Sequence, residues 1–214
     1  MCTCYHIDPI SYDFEEIIAE AESSPLLRTF LETGSPLITS GEVRPTNVVP
    51  VIAPGKDGSG KVFPMKWGFR IPGKSLIVNA RVETASALPT FKESWQKRRC
   101  IIPASWYLEW SHFTDPGTGK KKTGDKFMIQ PEGSVMTWLC GLYRMEEGLP
   151  VFTVLTREPS KEVALIHDRM PLMLPKEYVN AWIDPSKKAD ELLSYALTNL
   201  LIERVGPAQL EMEF

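Results

Sequence analysis

From Ile38 onward the chain is written in short apolar, β-favouring runs cut apart by Pro and Gly. The runs cover 48–53, 61–67, 75–82, 100–110, 126–130, 135–143 and 151–156. Such runs, bounded by turn formers, read as strands. Two stretches between them, 54–60 and 114–125, read as linking loops. Ahead of this region the pattern is helical: Phe14, Ile17, Ile18 and Ala21 recur at helical spacing, with Asp13 as N-cap and Glu16 three residues later. The pattern breaks at Ser23-Ser24-Pro25 and resumes through Leu26, Leu27, Phe30 and Leu31. Short helices are expected at 91–97, 161–166, 176–182 and 189–200. Strands dominate the middle, with helices inserted and flanking, so the order favours an α+β fold on a curved, largely antiparallel sheet.

Length and composition narrow the classes further. The 214 residues fit one large domain or two small ones. With 43% hydrophobic residues and six Trp, the chain is neither a disordered tail nor a disulfide-stapled miniprotein. No apolar run reaches the ~18 residues that span a bilayer, and the start lacks the basic and apolar regions of a signal peptide. The expected compartment is therefore cytoplasmic and reducing, where the four Cys stay free. A net charge of −3 gives no global attraction to nucleic acid, which leaves a local basic patch as the route to binding. No GxGxxG or GxxxxGK[ST] is present, so nucleotide cofactors have no support and no cofactor is expected. Repeats are absent.

Several residues carry chemistry. Removal of Met1 leaves Cys2 with a free α-amine beside its thiol, and a 1,2-aminothiol condenses with an aldehyde before its sulfur closes a five-membered thiazolidine. The amine titrates near ~8 and the thiol near ~8.5, so both react close to neutral pH. Taken alone, Cys2 reads more readily as an incidental small residue at a frayed terminus. Cys2, Cys4 and His6 alternate along one segment and offer a metal reading, but zinc sites take four ligands and Cys100 and Cys140 sit in distant apolar runs. No metal is expected. Asn79-Ala80-Arg81-Val82-Glu83-Thr84 follows the apolar Leu76-Ile77-Val78 and is either a site at a strand end or a capped turn. Period-2 reading sends Ser105, Tyr107, Glu109 and Ser111 to one face and Trp106, Leu108 and Trp110 to the other. Glu109 is then a desolvated acid or a solvated surface carboxylate. His167, ahead of Asp168-Arg169-Met170-Pro171, is a proton carrier or a helix-end hydrogen bonder. Arg44, Lys66, Arg81, Arg98, Arg99 and Arg169 matter if the fold converges them in one groove, where Pro45 and Trp67 stack on or wedge between bases.

The chain order of these pieces is more specific than any one of them. Met1-Cys2, Arg44-Pro45, Trp67-Gly68-Phe69, Asn79–Thr84, Arg99-Cys100-Ile101-Ile102-Pro103-Ala104, Glu109-Trp110, Gly141-Leu142 and His167-Asp168-Arg169-Met170-Pro171 form one series. It closely resembles the SOS response-associated peptidase (SRAP) family, also called abasic-site processing proteins, from Cys2 to about Trp182. The resemblance implies a single α+β domain over 1–214, built on a barrel-like, strongly curved, mostly antiparallel sheet, with a C-terminal helix and tail at 183–214. It implies a DNA-damage protein that binds single-stranded DNA and captures abasic sites through Cys2 after removing its own Met1, with possible AP-lyase activity. By the same resemblance Cys2 is the nucleophile, Asn79 orients its amine and the sugar, Arg81 holds a phosphate, and Glu109 and His167 move protons. A cytoplasmic protein of this kind is nucleoid-associated if prokaryotic. Two departures from the family pattern stand out: Thr3-Cys4 replaces the common Gly-Arg, and Ser105-Trp106-Tyr107-Leu108 replaces Asp-Gly-Phe-Tyr before Glu109. The rival readings are an N-terminal-nucleophile amidase acting in trans and a non-covalent DNA- or metal-binding module. No sequence feature sets an oligomeric state.

Overall fold

In the computed structural model, which describes residues 2–206, the chain combines strands with short helices. Met1 and the last part of the tail, 207–214, lie outside the described residues. In order come β1 (Cys4–Ile7), α1 (Tyr12–Glu22), α2 (Pro25–Glu32), β2 (Gly41–Val43), β3 (Val48–Pro54) and β4 (Gly60–Trp67). The middle holds β5 (Asn79–Arg81), α3 (Val82–Ala85), α4 (Pro89–Lys97), β6 (Arg99–Ala104), β7 (Trp106–Thr114) and β8 (Lys121–Pro131). Then follow β9 (Thr137–Glu146), β10 (Leu149–Arg157), β11 (Met170–Pro171), α5 (Val179–Ile183), α6 (Ala189–Leu192) and β12 (Leu200–Gly206).

Five of these strands close on themselves. Neighbours run β10-β4-β3-β6-β9, and β9 pairs back onto β10, so the ring has no free edge. Within this ring every pairing is antiparallel except β4 with β10. Pro50 and Pro64 face each other in the β3–β4 ladder. They are tolerated because β3 meets β6 only at Ile52, and β4 meets β10 only at Lys66 and Trp67, so neither proline faces a required N–H partner on its far side. The buried cluster runs through Val49, Val51, Met65, Trp67, Cys100, Ile102, Leu139 and Phe152. A second, wholly antiparallel sheet has the order β12-β8-β7-β1-β2. This is the α+β, barrel-based architecture that the run pattern and the resemblance imply.

Several local expectations change. The run 100–110 is two strands in two sheets, split at Ser105. Its N–H donates to the carbonyl of His6 at 2.8 Å, its hydroxyl accepts the Asp8 N–H at 2.8 Å, and its carbonyl accepts the Thr137 hydroxyl at 2.9 Å. The chain turns from barrel to second sheet on this one residue. The run 75–82 keeps only Asn79–Arg81 as strand, since β10 offers registered partners to those three alone. Helix α1 is capped by Ser11, whose hydroxyl accepts the Phe14 N–H, and Asp13 falls in the first turn. The loop expected at 114–125 shrinks to a tight turn in which Asp115 accepts the N–H groups of Gly117 and Thr118, and β8 begins at Lys121. The helix expected at 161–166 reduces to a 3₁₀ turn at Val163–Leu165, while the one expected at 176–182 is present as a 3₁₀ turn, Lys176–Tyr178, running on into α5. The helix expected at 189–200 ends early, and β12 follows, paired along the edge of β8. Among the described residues no helix is long and apolar enough to cross a membrane.

Candidate active site around Cys2

Strand β1 threads between β2 and β7, with Tyr5 opposite Tyr107 and Cys4 opposite Leu108. This pairing carries Cys2 into the interior, where its side chain has no exposed surface. Its Sγ lies 3.8 Å from the carbonyl oxygen of Cys4. Asn79, at the start of β5, reaches the same point from the barrel: its Nδ2 donates to the Cys2 carbonyl oxygen at 2.8 Å. The Asn79 Oδ1 is buried and has no partner among the described residues, as are the hydroxyls of Tyr5 and Tyr107. Buried polar atoms are nearly always paired, so orphans gathered around one nucleophile mark a place shaped for something else. Arg81, two residues beyond Asn79 on the same strand, is exposed.

Glu109 stands on β7 with 3% of its surface exposed. The face that period-2 reading assigned to Tyr107 and Glu109 is buried at both residues, so Glu109 is the desolvated acid and not the solvated carboxylate. Burial raises the Glu109 carboxyl above the ordinary carboxylate range, and the charge of Asp168 adds to the rise. Burial also drives the Cys2 thiol far up, and the Glu109 charge pushes the same way, so the two groups sense each other. His167 comes from the far end of the chain. Its N–H donates to Val163 across the 3₁₀ turn, and β11, pinned to β10, fixes the segment that follows. The Nδ1 of His167 accepts the Arg169 N–H at 3.0 Å, and an Asp168 carboxylate oxygen lies 2.8 Å from that atom. Burial lowers the His167 imidazole below its usual value and favours the neutral ring. His112, further along β7 than Glu109, meets it edge to face with ring centroids 5.8 Å apart.

A buried acid inclined to hold its proton thus lies in the same neighbourhood as a histidine inclined to lose one: Asp168, next to His167, bears on Glu109, and His167 packs on His112 of the strand that carries Glu109. That is the arrangement general acid–base chemistry uses near neutral pH.

The DNA-binding expectations divide. Arg169 clasps Glu83 through two bonds of 2.9 and 2.8 Å and donates to the Thr156 carbonyl at 2.7 Å. Arg44 is exposed and ion-paired with Glu42, and Pro45 beside it is half-buried. Lys66 reaches the Ser35 hydroxyl and lines an open cavity of about 1060 Å³ bounded also by Arg70 and Lys74. Arg98 pairs with Glu93 at 3.3 Å. Two expectations are corrected. Trp67 has no exposed surface, and its Nε1 donates to the Val78 carbonyl, so it packs the barrel and stacks on no base. Arg99 is 3% exposed and donates to the carbonyls of Trp182, Trp95, Lys187 and Asp184, which holds α4 to the α5 region. The metal reading of Cys2, Cys4 and His6 also loses its geometry. Cys4 Sγ faces Glu42 at 3.7 Å, and His6 stacks on Trp106 with centroids 4.5 Å apart.

Over residues 1–209 the chain matches the family described as SOS response associated peptidase (SRAP). It belongs to the SRAP family. Among curated SRAP relatives, the abasic site processing protein YoaM of Bacillus subtilis (strain 168) is 30% identical over 173 residues, 73% of this chain and 74% of the relative. The abasic site processing protein YoqW of the same strain is 31% identical over 176 residues, 75% of this chain and 76% of the relative. A crystal structure of a protein from Bacteroides thetaiotaomicron superimposes with a TM-score of 0.69 at 20% identity, covering 95% of this chain and 92% of that one, which shows a shared fold. Sequence motifs picked out Cys2, Asn79, Glu109 and His167. They missed Tyr5 and His112, which no motif marks, and they passed over Tyr107 although it shares the period of Glu109.

Proposed function

We propose that this SRAP chain acts in the DNA-damage response by capturing abasic sites in single-stranded DNA on the amine and thiol of Cys2. The observation that carries the reading is that Asn79 bonds the Cys2 carbonyl, Glu109 bears on the Cys2 thiol, and Asp168 beside His167 bears on Glu109, which links four distant parts of the sequence. The relatives named above are abasic site processing proteins, and the ring-opened form of an abasic deoxyribose is an aldehyde.

The residues suit each step. With Met1 removed, the Cys2 amine adds to the aldehyde carbon, and loss of water gives a Schiff base. The thiol then adds across the C=N bond: sulfur bonds to carbon, the thiol proton ends on nitrogen, and a thiazolidine results. Asn79 fixes the Cys2 backbone through Nδ2 and offers Oδ1 as the acceptor for the amine. Glu109, inclined by burial toward its protonated form, is suited to protonating the departing hydroxyl, and neutral His167 is suited to accepting a proton. The buried Cys2 thiol is a poor thiolate on its own, so its proton must be taken as sulfur attacks. Exposed Arg81 is the cation for a neighbouring phosphate. Because a Schiff base acidifies the adjacent carbon, β-elimination and strand cleavage compete with ring closure, and Met1 removal by the same site is the self-processing counterpart.

The test combines mature protein with a uracil-containing single strand treated with uracil glycosylase, read by intact mass. The expected result is loss of Met1 and a heat-stable adduct of one strand per chain, absent in Cys2→Ala. An abasic strand that leaves the wild-type mass unchanged overturns the proposal.

A further inference from the structure

Beside the reactive centre, two cations share a single carboxylate. Arg44 Nη2 donates to Glu42 Oε2 at 2.7 Å, Lys126 Nζ bonds Oε1, and Cys4 Sγ lies 3.7 Å from Oε2. Both cations also stand over the ring of Trp110, Lys126 at 5.4 Å and Arg44 at 6.0 Å from its centroid. The register explains the gathering. Trp110 and Lys126 are paired positions in the β7–β8 ladder, while Glu42 lies on β2 opposite His6. Strand β1 runs between β2 and β7 with Cys4 and His6 on the same face as Glu42, Trp110 and Lys126, so the long side chains of Glu42 and Lys126 meet across it. The link to the nucleophile is short: Cys2 Sγ contacts the Cys4 carbonyl, and Cys4 Sγ contacts Glu42.

Two positive groups against one negative leave a net positive spot on a chain whose total charge is −3. Burial and the Glu42 charge push the Cys4 thiol up to about 11, so it adds no negative charge here. Partly exposed ion pairs contribute little to stability, and a second cation on one carboxylate contributes less still. The arrangement is better matched to an exchangeable anion. A backbone phosphate presents oxygens of the same size and charge as the Glu42 carboxylate, and an Arg fork can grip it through two bonds. The Trp110 face keeps both cations in place while the anion changes.

We infer that Arg44 and Lys126 form a phosphate clamp for the strand approaching Cys2, and that Glu42 is the internal counter-ion the phosphate displaces. The clamp rests on the single-strand reading given above. It makes affinity depend on a competition inside the protein: DNA must take the cations from Glu42, so removing the Glu42 charge tightens binding.

The experiment measures binding of a short labelled single strand by fluorescence anisotropy over a range of salt, for wild type, Lys126→Met, Arg44→Gln and Glu42→Gln, with the melting temperature of each. Met keeps the aliphatic stem over Trp110 and removes only the charge. The slope of log K against log salt is expected to fall by about 0.7 for each cation removed. Glu42→Gln is expected to bind several-fold more tightly than wild type. Folded Lys126→Met and Arg44→Gln with the wild-type slope overturn the clamp and leave the abasic-site reading standing. If Lys126→Met does not fold, a Glu42→Gln chain that binds no more tightly than wild type overturns it instead. Wild type that binds no single strand overturns the clamp and the reading together.

Discussion

The side-chain amide of Asn79 donates a 2.8 Å hydrogen bond to the carbonyl oxygen of Cys2, across 77 positions of sequence. The bond ties the segment bearing the nucleophile to β5, which is itself held in register by β10. In the proposed capture the Cys2 backbone amine itself reacts, so this positioning matters, because a misplacement of about 1 Å can cost on the order of 100-fold in rate. Asn79→Ala is therefore expected to slow adduct formation roughly 10- to 100-fold while costing only about 1–3 kcal/mol of stability from the orphaned carbonyl. Single-turnover formation of the covalent adduct on denaturing gels measures the first effect and urea denaturation the second. A capture rate within twofold of wild type would remove Asn79 from the site.

Glu109 carries a pH signature. Burial raises its folded-state proton affinity above that of the unfolded chain, so the folded state holds the extra proton as pH rises through the ordinary carboxylate range. Stability from this group is full below the unfolded pKa of about 4.3 and is lost progressively as pH climbs to the raised folded value. Glu109→Gln removes that loss. The variant is expected to melt higher than wild type at pH 7, with the gap closing toward pH 4, and to capture abasic DNA at least tenfold more slowly. Thermal melts across pH check the sign; a gap that grows toward acid contradicts it.

The barrel was legible because its strands are apolar runs with turn formers between them, a pattern local enough to read. What escaped was decided by pairing at a distance. Ser105 looks like one more alternating polar residue, yet its contacts with His6, Asp8 and Thr137 turn the chain into another sheet. The stretch after Ala189 has a helical pattern, but β8 offers a free edge and β12 takes it. In the site, Cys2, Asn79, Glu109 and His167 were readable from motif order. Charge alone misassigned Arg99, since Lys97-Arg98-Arg99 shows three cations and not which one points inward. Lys126 and His112 belong to no motif and enter only through the β7–β8 register and the packing of the His167 segment.

His112 and His167 are coupled. Burial is the main reason His167 prefers to be neutral, and the nearby His112 charge pushes its proton affinity further down. His112→Gln removes that push, so the His167 proton affinity rises toward its ordinary value. If neutral His167 accepts the proton during capture, the acid limb of the pH–rate profile moves to higher pH, and the rate above pH 8 stays within about twofold of wild type. A capture profile recorded from pH 5 to pH 9 on the abasic strand reads this directly; an unmoved acid limb separates the two imidazoles.

Arg99 supplies the opposite kind of test, a cation whose loss harms the fold and not the binding. Its guanidinium bonds the carbonyls of Trp95, Trp182, Asp184 and Lys187, and its Cζ lies 5.5 Å from the Trp182 ring centroid. An ammonium has three donors on a flexible stem and cannot reproduce a planar fork aimed at four acceptors. Arg99→Lys is therefore expected to lose about 2–3 kcal/mol of stability, because buried carbonyls go unpaired. Its salt slope for single-stranded DNA, measured at a temperature where the variant is still folded, is expected to equal that of wild type. A slope lower by about 0.7 together with unchanged stability would put Arg99 back on the DNA-binding surface.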